Sequence, residues 1–456
     1  MEDKEFNFND EVDTLKNSSM FYMSLGSKEL FHSNFLHWLS IINFDVFLKI
    51  MHGLSDVDNF WWEEKYKPDS NNIEVRREFH NFDLSIYIKV GEKHHRNGES
   101  YDVWLPVLIL ENKMKSLAYQ DQLDGYLGKV YEEWHDYYKS DIKNQWDDAT
   151  KVSFIVLSLV TPSLEGVSQY EYDKYDSIKC KWFLKNYKDL SIILLGQVKS
   201  IVKEFDKSII EDYCSFVKAL FDIANNDWKI DPANSYISKV CPRYSNDEDV
   251  KQKVKQLEEL RIYDIREKIV YDQLINLLQE KLINAKLGIG VERYNKDSYN
   301  TYKPKHQSTN LPKIICNTNF FHGVGLFEAI YLIRGRKNAK DEPFFLTVQI
   351  QGKHYTRGIS RKNIVKIDNQ TQIVNGKPHN KKVNCIKDLT DIGKENLKFY
   401  IDIDKNILGK YDNSFIYTKR EIGSEVTIEV LINIIVENIK KIVANANKLV
   451  EPQIFF

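Results

Sequence analysis

The sequence predicts an α/β fold: a mixed sheet flanked by helices, followed by a helical connector and an α+β C-terminal region. Three observations predict it. Between about residues 28 and 160, helical and strand periodicities alternate in the order α-β-β-α-β. From Ser245 to Leu287, apolar residues punctuate charged ones at helical spacing. After about Gly288, short strand-like runs alternate with polar loops. The expected domains are residues 15–230, a connector over 231–287, and a C-terminal domain over 288–456.

The elements follow in order. "SKELFHSNFLHWLSIINFDVFLKIMHG" sets Leu30, Phe31, Phe35, Leu36, Trp38, Leu39 and Ile42 at helical spacing, with Ser27 as its N-cap and Gly53 as its stop. "NFDLSIYIKVGE" alternates strictly. Phe82, Leu84, Ile86 and Ile88 share one face, and Asp83, Ser85 and Tyr87 the other, as in a half-buried strand. "DVWLPVLILENK" is a second strand, continuously apolar and so more deeply buried. Helical period returns through Leu117, Leu123, Tyr126, Leu127, Val130 and Trp134. "KVSFIVLSLVTP" is a third strand, ended by Pro162. "CKWFLKNYKDLSIILL" reads as a strand running into a helix, and "VKSIVKEFDKSIIEDYCSFVKALFDIAN" as a helix. The connector holds one long helix or two. "EVTIEVLINIIVENIKKIVANANKLV" closes the chain as a helix.

Composition excludes several classes. Over 456 residues, 42% hydrophobic and 29% charged describe a globular chain rather than a disordered one. No apolar run approaches the roughly 20 residues that span a bilayer, and the acidic start "MEDKEFNFNDEVD" is no signal peptide. The five cysteines form no CxxC pair, which argues against zinc and disulfides and fits the cytoplasm. A net charge of −2 gives no global basic field, so an anionic partner must be met locally.

The chemistry concentrates in "VLILENKMKS". Four apolar residues of a core strand run straight into Glu111, Asn112 and Lys113. Burying charge is costly unless the charges are used. Strand alternation puts Glu111 and Lys113 on one face, and Asp83 on the preceding strand can reach them if the strands pair. Two hard carboxylates suit Mg²⁺ (or Mn²⁺), which keeps several waters and takes one or two carboxylates. A lysine beside them can position a water and offset developing charge. That is the equipment of metal-assisted phosphodiester hydrolysis. Asp102, in "GESYD", competes with Asp83 but sits where an Asx turn is expected.

These residues resemble the PD-(D/E)xK nuclease superfamily, in its bacterial branch with a D…ENK…QLxxY pattern. Here the pattern is Asp83, then Glu111-Asn112-Lys113, then Gln122-Leu123 and Tyr126. "SKELFHSNFLHWL" is similar to the branch's first helix, and "RREFHNFDLSI" places Glu78 before Asp83. The likeness covers about residues 20 to 215. It departs at Ala118, where the family often has an acid. The resemblance implies a restriction-endonuclease-like fold and a Mg²⁺-dependent nuclease. Asp83, Glu111 and Glu29 would face the metal, Lys113 would orient the water, and Glu78 and Gln122 would support them. It further implies a bacterial setting in nucleic-acid processing or phage defence. The alternative is a non-cleaving module on a nuclease fold that binds nucleic acid or protein.

A second feature lies in the C-terminal region. From Lys353 to Lys382, eight basic residues stand against the single acid Asp368. Lys353, Arg357, Arg361 and Lys362 are its candidate phosphate contacts. The expected partner is nucleic acid, DNA ahead of RNA, with no membrane. The C-terminal half is left for substrate, a partner protein or a second copy.

Overall fold

The computed structural model describes residues 6–25, 28–66, 72–94, 100–114, 120–137, 152–160, 170–172, 178–180, 182–288, 290–293, 313–321, 324–333, 344–360, 372–374, 377–379, 408–411 and 415–450. Two compact units emerge. The first holds Met1–Lys229 with Glu259–Ile269, and the second Ile230–Glu258 with Val270–Phe456.

In the first unit, helices α1 (Phe8–Asn17), α2 (Ser19–Ser24), α3 (Lys28–Ile42), α4 (Phe44–Ser55) and α5 (Trp61–Tyr66) lead into the sheet. Strands β1 (Ile73–Phe79), β2 (Phe82–His94) and β3 (Ser100–Lys113) form an antiparallel meander. Helix α6 (Gln120–Tyr137) then precedes β4 (Ser153–Ser158), which pairs parallel with β3. A parallel pair needs a long crossover, and α6 lies within it. Short strands β5 (Tyr170–Tyr172) and β6 (Ile178–Cys180) form a separate ladder. Strand β7 (Trp182–Asn186) adds parallel to β4, giving the order β1-β2-β3-β4-β7. Helices α7 (Tyr187–Gln197) and α8 (Glu204–Asn226) complete the layer. This is a mixed sheet flanked by helices, the α/β fold the sequence predicts.

Burial explains the strand compositions. β3 is buried without interruption from Leu105, as is all of β4, since both lie inside the sheet. The edge strand β1 alternates more loosely and was not separable in the sequence from the strand after it. A two-residue turn joins it to β2, with His80 and Asn81 both at positive φ. That matches the right-handed twist of a hairpin, although Gly is the usual occupant. Lys129 Nζ donates to the His80 carbonyl at 2.7 Å and secures the turn.

Three local expectations are corrected. The first long helix breaks at Asn43, whose side chain caps α4 by accepting from Val46 N–H. Gly53 does not stop that helix. A Cβ there would come within 3.1 Å of Ile193, so the glycine permits close approach to α7, and Asp56 in the left-handed region ends α4. Asp102 is not in a turn but in β3 opposite Glu92, with Lys89 Nζ 2.6 Å from its carboxylate.

In the second unit, short helix α9 (Tyr236–Lys239), α10 (Glu248–Glu259, all but its last residue) and the part of α11 (Tyr263–Asn284) from Val270 onward precede the strands. Residues 245–287 thus hold two long helices, parted where Arg261 takes a positive φ. Strands β8 (Gly290–Arg293), β9 (Lys313–Phe321), β10 (Val324–Ile333), β11 (Phe344–Gln351) and β12 (His354–Ser360) share one sheet with β15 (Leu408–Tyr411) and β16 (Phe415–Glu421). Its order is β15-β16-β12-β11-β10-β9-β8, and β13 (Gln372–Val374) pairs β14 (Lys377–His379) separately. Helix α12 (Ile428–Val450) follows. At the β11–β12 turn, Gly352 has φ 54°, and a Cβ there would meet the Tyr244 ring at 2.9 Å. Among the described residues, no helix is long and apolar enough to cross a membrane.

Candidate active site

β3 delivers three consecutive polar residues at its buried end. Alternation turns Asn112 toward α3, where its Nδ2 donates to Ser33 Oγ at 2.7 Å. Glu111 and Lys113 therefore project from the opposite face. Lys113 Nζ lies 2.6 Å from Glu111 Oε1, and both side chains are almost wholly buried.

β2 delivers the second carboxylate. Leu84 pairs with Leu110, so the register continued by one residue sets Asp83 across from Glu111. Asp83 Oδ2 accepts the backbone N–H of Asn112 at 2.6 Å. Burial is the main cause that pushes the Asp83 carboxyl up to about 8, and the Glu111 charge is the next. The Asn112 N–H and Lys113 act the other way, while Glu78 adds to the rise. Two carboxylates thus face each other in a partly desolvated pocket, where one charge opposes the other.

The remaining candidates fall into three groups. Glu29 sits half-buried in the first turn of α3, one turn before Ser33, where the helix dipole favours a carboxylate. Its charge and that of Asp83 both bear on the buried Tyr187 hydroxyl. Among the described residues, no three His, Cys, Asp or Glu gather in a group that could hold a metal. Glu78 is exposed at positive φ, skipped by the β1–β2 ladder, and reaches Asp83 by its field. Gln122 lies in the first turn of α6, with its side chain outside the described residues, and Ala118 is outside them altogether. Tyr126 is buried, edge-on to Phe82 at 5.3 Å.

The basic stretch is described only at its start. Lys353, at the β11–β12 turn, pairs with Glu421 and lies 5.8 Å from the Tyr244 ring centre. Arg357 is in β12 opposite Val348 and Thr418, with its side chain outside the described residues, as are Arg361 and Lys362 entirely.

Several contributors were not singled out from the sequence. Ser33 and Tyr187 hold Asn112. The His32 ring packs 4.7 Å from that of Tyr187, and His32 Nδ1 shares a hydrogen bond with Tyr213 OH at 2.9 Å. Burial drives the His32 pKa down to about 3, so the ring is neutral. Farther along β2, the Tyr87 hydroxyl donates to Glu133 at 3.4 Å, and burial pushes Glu133 up to about 7. A polar residue inside an apolar helical stripe was the only available signal for Ser33.

The donor set suits one kind of ion. Asp83 and Glu111 offer hard oxygen donors, with no cysteine or histidine beside them in a metal-binding group among the described residues. Oxygen donors of this kind suit a divalent cation. The mutual repulsion that raises Asp83 is what a divalent cation between the carboxylates would remove.

A mixed sheet with a carboxylate pair and a lysine at the ends of adjacent strands defines a restriction-endonuclease-like domain. Residues 20–215 match the family model of the PD-(D/E)XK nuclease superfamily. No match was found among curated proteins or among solved structures.

Proposed function

We propose that the first unit is a metal-dependent nuclease that hydrolyses nucleic-acid phosphodiester bonds. One observation carries this reading: Asp83 and Glu111 stand across adjacent strands, with Lys113 in ion-pair reach of Glu111. The superfamily match over residues 20–215 supports it. Asp83 and Glu111 would hold Mg²⁺ or Mn²⁺. That ion would supply charge neutralisation at the phosphodiester and a water of lowered pKa. Lys113, fixed by its ion pair, holds a positive charge beside the carboxylates, where it orients a water and stabilises negative charge on the phosphate oxygens. As a ligand, Asp83 would bind the ion as the carboxylate. Glu29 and Glu78 add negative potential around the pair. The basic stretch beginning at Lys353 would track the phosphate backbone.

The test is cleavage of single-stranded DNA, duplex DNA and RNA by the full chain, with Mg²⁺, Mn²⁺ or EDTA, beside Glu111→Gln. Metal-dependent cleavage lost in the variant supports the proposal. Tight binding with no cleavage of any substrate would identify a non-cleaving module instead.

A further inference from the structure

Asn112 stands between Glu111 and Lys113 at the end of β3 and is held from several directions. Its side chain is 1% exposed. Nδ2 donates to Ser33 Oγ on α3 at 2.7 Å, and Oδ1 accepts from the Tyr187 hydroxyl at 3.5 Å, at the outer limit of a hydrogen bond. On the other side of the strand, its N–H meets Asp83 at 2.6 Å. One residue therefore has its side chain gripped by helices and its peptide aimed at a carboxylate.

Both grips are themselves anchored. Tyr187 opens α7, whose start is fixed by a reciprocal capping box between Asn186 and Asp189. Its ring packs on His32, which is bonded to Tyr213 of α8. Ser33 is fully buried in α3. The residue type also fits. The site asks for a donor toward Ser33 and an acceptor toward Tyr187 on one short side chain, and an amide supplies both. Aspartate would lack the donor, and an aliphatic residue would lack both. The need for an anchor follows from position: β4 pairs with β3 as far as Lys113, but the ladder with β2 stops at Leu110, so on that side the Asp83–Asn112 contact carries the register onward.

We propose that Asn112 is a positioning residue: its side chain, clamped by Ser33 and Tyr187, fixes the end of β3. Its peptide N–H thereby orients Asp83, and Glu111 and Lys113 are presented together on the opposite face. This rests on the metal-site reading above. It assigns the step from scaffold to site to one buried amide.

The experiment compares wild type, Asn112→Ala, Ser33→Ala and the double variant as full chains. Mn²⁺ affinity is measured by calorimetry, thermal unfolding by circular dichroism, and kcat and KM on the best substrate. Asn112→Ala should weaken Mn²⁺ binding by roughly tenfold or more, the scale for losing a group that orients metal ligands. It should lower kcat with little change in KM. Ser33→Ala, which touches neither carboxylate, should move both readouts in the same direction by less. The double variant should be no worse than Asn112→Ala alone, because both act through one contact. A purely structural amide predicts lower thermal stability with wild-type Mn²⁺ affinity, and that result overturns the proposal. If Asn112→Ala does not fold, Ser33→Ala decides, and wild-type Mn²⁺ binding by it overturns the proposal equally. A wild-type chain that binds no Mn²⁺ removes the metal-site reading itself, and this inference with it.

Discussion

Lys113 Nζ lies 2.6 Å from Glu111 Oε1, in an ion pair with almost no solvent access. Burying such a pair brings little net stability, but removing one partner leaves a charge without its counter-ion, at about 3–5 kcal/mol. The pair therefore makes the lysine and a divalent ion alternative sources of positive charge for Glu111.

Lys113→Ala should accordingly be destabilised by about 3–5 kcal/mol without metal, and Mn²⁺ should restore stability more in the variant than in wild type. Turnover should fall by roughly 10²-fold or more, as for loss of one preorganised stabilising group, while Mn²⁺ affinity is retained or increased. Denaturant melts with and without Mn²⁺, beside single-turnover rates, check this. Cleavage at the wild-type rate would show that β3 is not a catalytic strand.

Asp83 predicts a pH dependence. Its folded value, about 8, lies above the 3.8 of an unperturbed aspartate. Between those values the folded state holds a proton that the unfolded state has released. The stability linked to Asp83 is thus fully present at low pH and is lost as pH rises through about 8. Glu133, raised to about 7, acts in the same direction, whereas His32, lowered to about 3, removes stability as pH falls below its unfolded value. The difference between wild type and Asp83→Asn isolates the Asp83 part. The stability of wild type relative to Asp83→Asn should fall from pH 5 to pH 8 in EDTA. In wild type, Mn²⁺ affinity should climb over the same interval, because the ion displaces a proton. A flat affinity from pH 5 to pH 8 would contradict the shift.

The basic stretch predicts a salt effect. Alanine at Arg357, Arg361 and Lys362 should weaken nucleic-acid binding and reduce the log–log salt slope by roughly 0.7 to 0.9 per lost phosphate contact. Filter binding at several salt concentrations measures it. An unchanged slope would place the substrate's backbone elsewhere.

His32 predicts a stability effect without a metal effect. His32→Phe removes the 2.9 Å bond to Tyr213 and leaves that buried hydroxyl without it, at about 1–3 kcal/mol. Mn²⁺ binding should stay within a factor of a few of wild type. A loss comparable to that of Asn112→Ala would extend the anchoring network to α8.

The sequence made the sheet's interior legible because burial there is written residue by residue. Continuous apolar runs announced β3 and β4, and strict alternation announced β2. It also placed Asp83, Glu111 and Lys113 on compatible faces, since alternation follows from backbone geometry alone. β1 was hidden because an edge strand needs no regular pattern, and four of the seven residues of "IEVRREF" are charged. The break at Asn43 was hidden because the apolar spacing continues across it. The grip on Asn112 was invisible for a different reason. Ser33 and Tyr187 lie 79 and 75 residues away, and only folding brings them together.

The sheet changes from antiparallel to parallel at β3, and this bears on the order in which the chain assembles. Asp83 meets the end of β3 across 29 residues, through hairpin-like connections that close quickly. The parallel pairings of β4 and β7 wait on longer excursions, including α6. Asp83 and Glu111 are therefore set across from each other by pairing that is local in sequence. The clamp from Tyr187 arrives only when β7 and α7 have docked. The contact between Asp83 and the end of β3 is thus local in sequence, whereas the clamp on Asn112 joins elements 75 and 79 residues away.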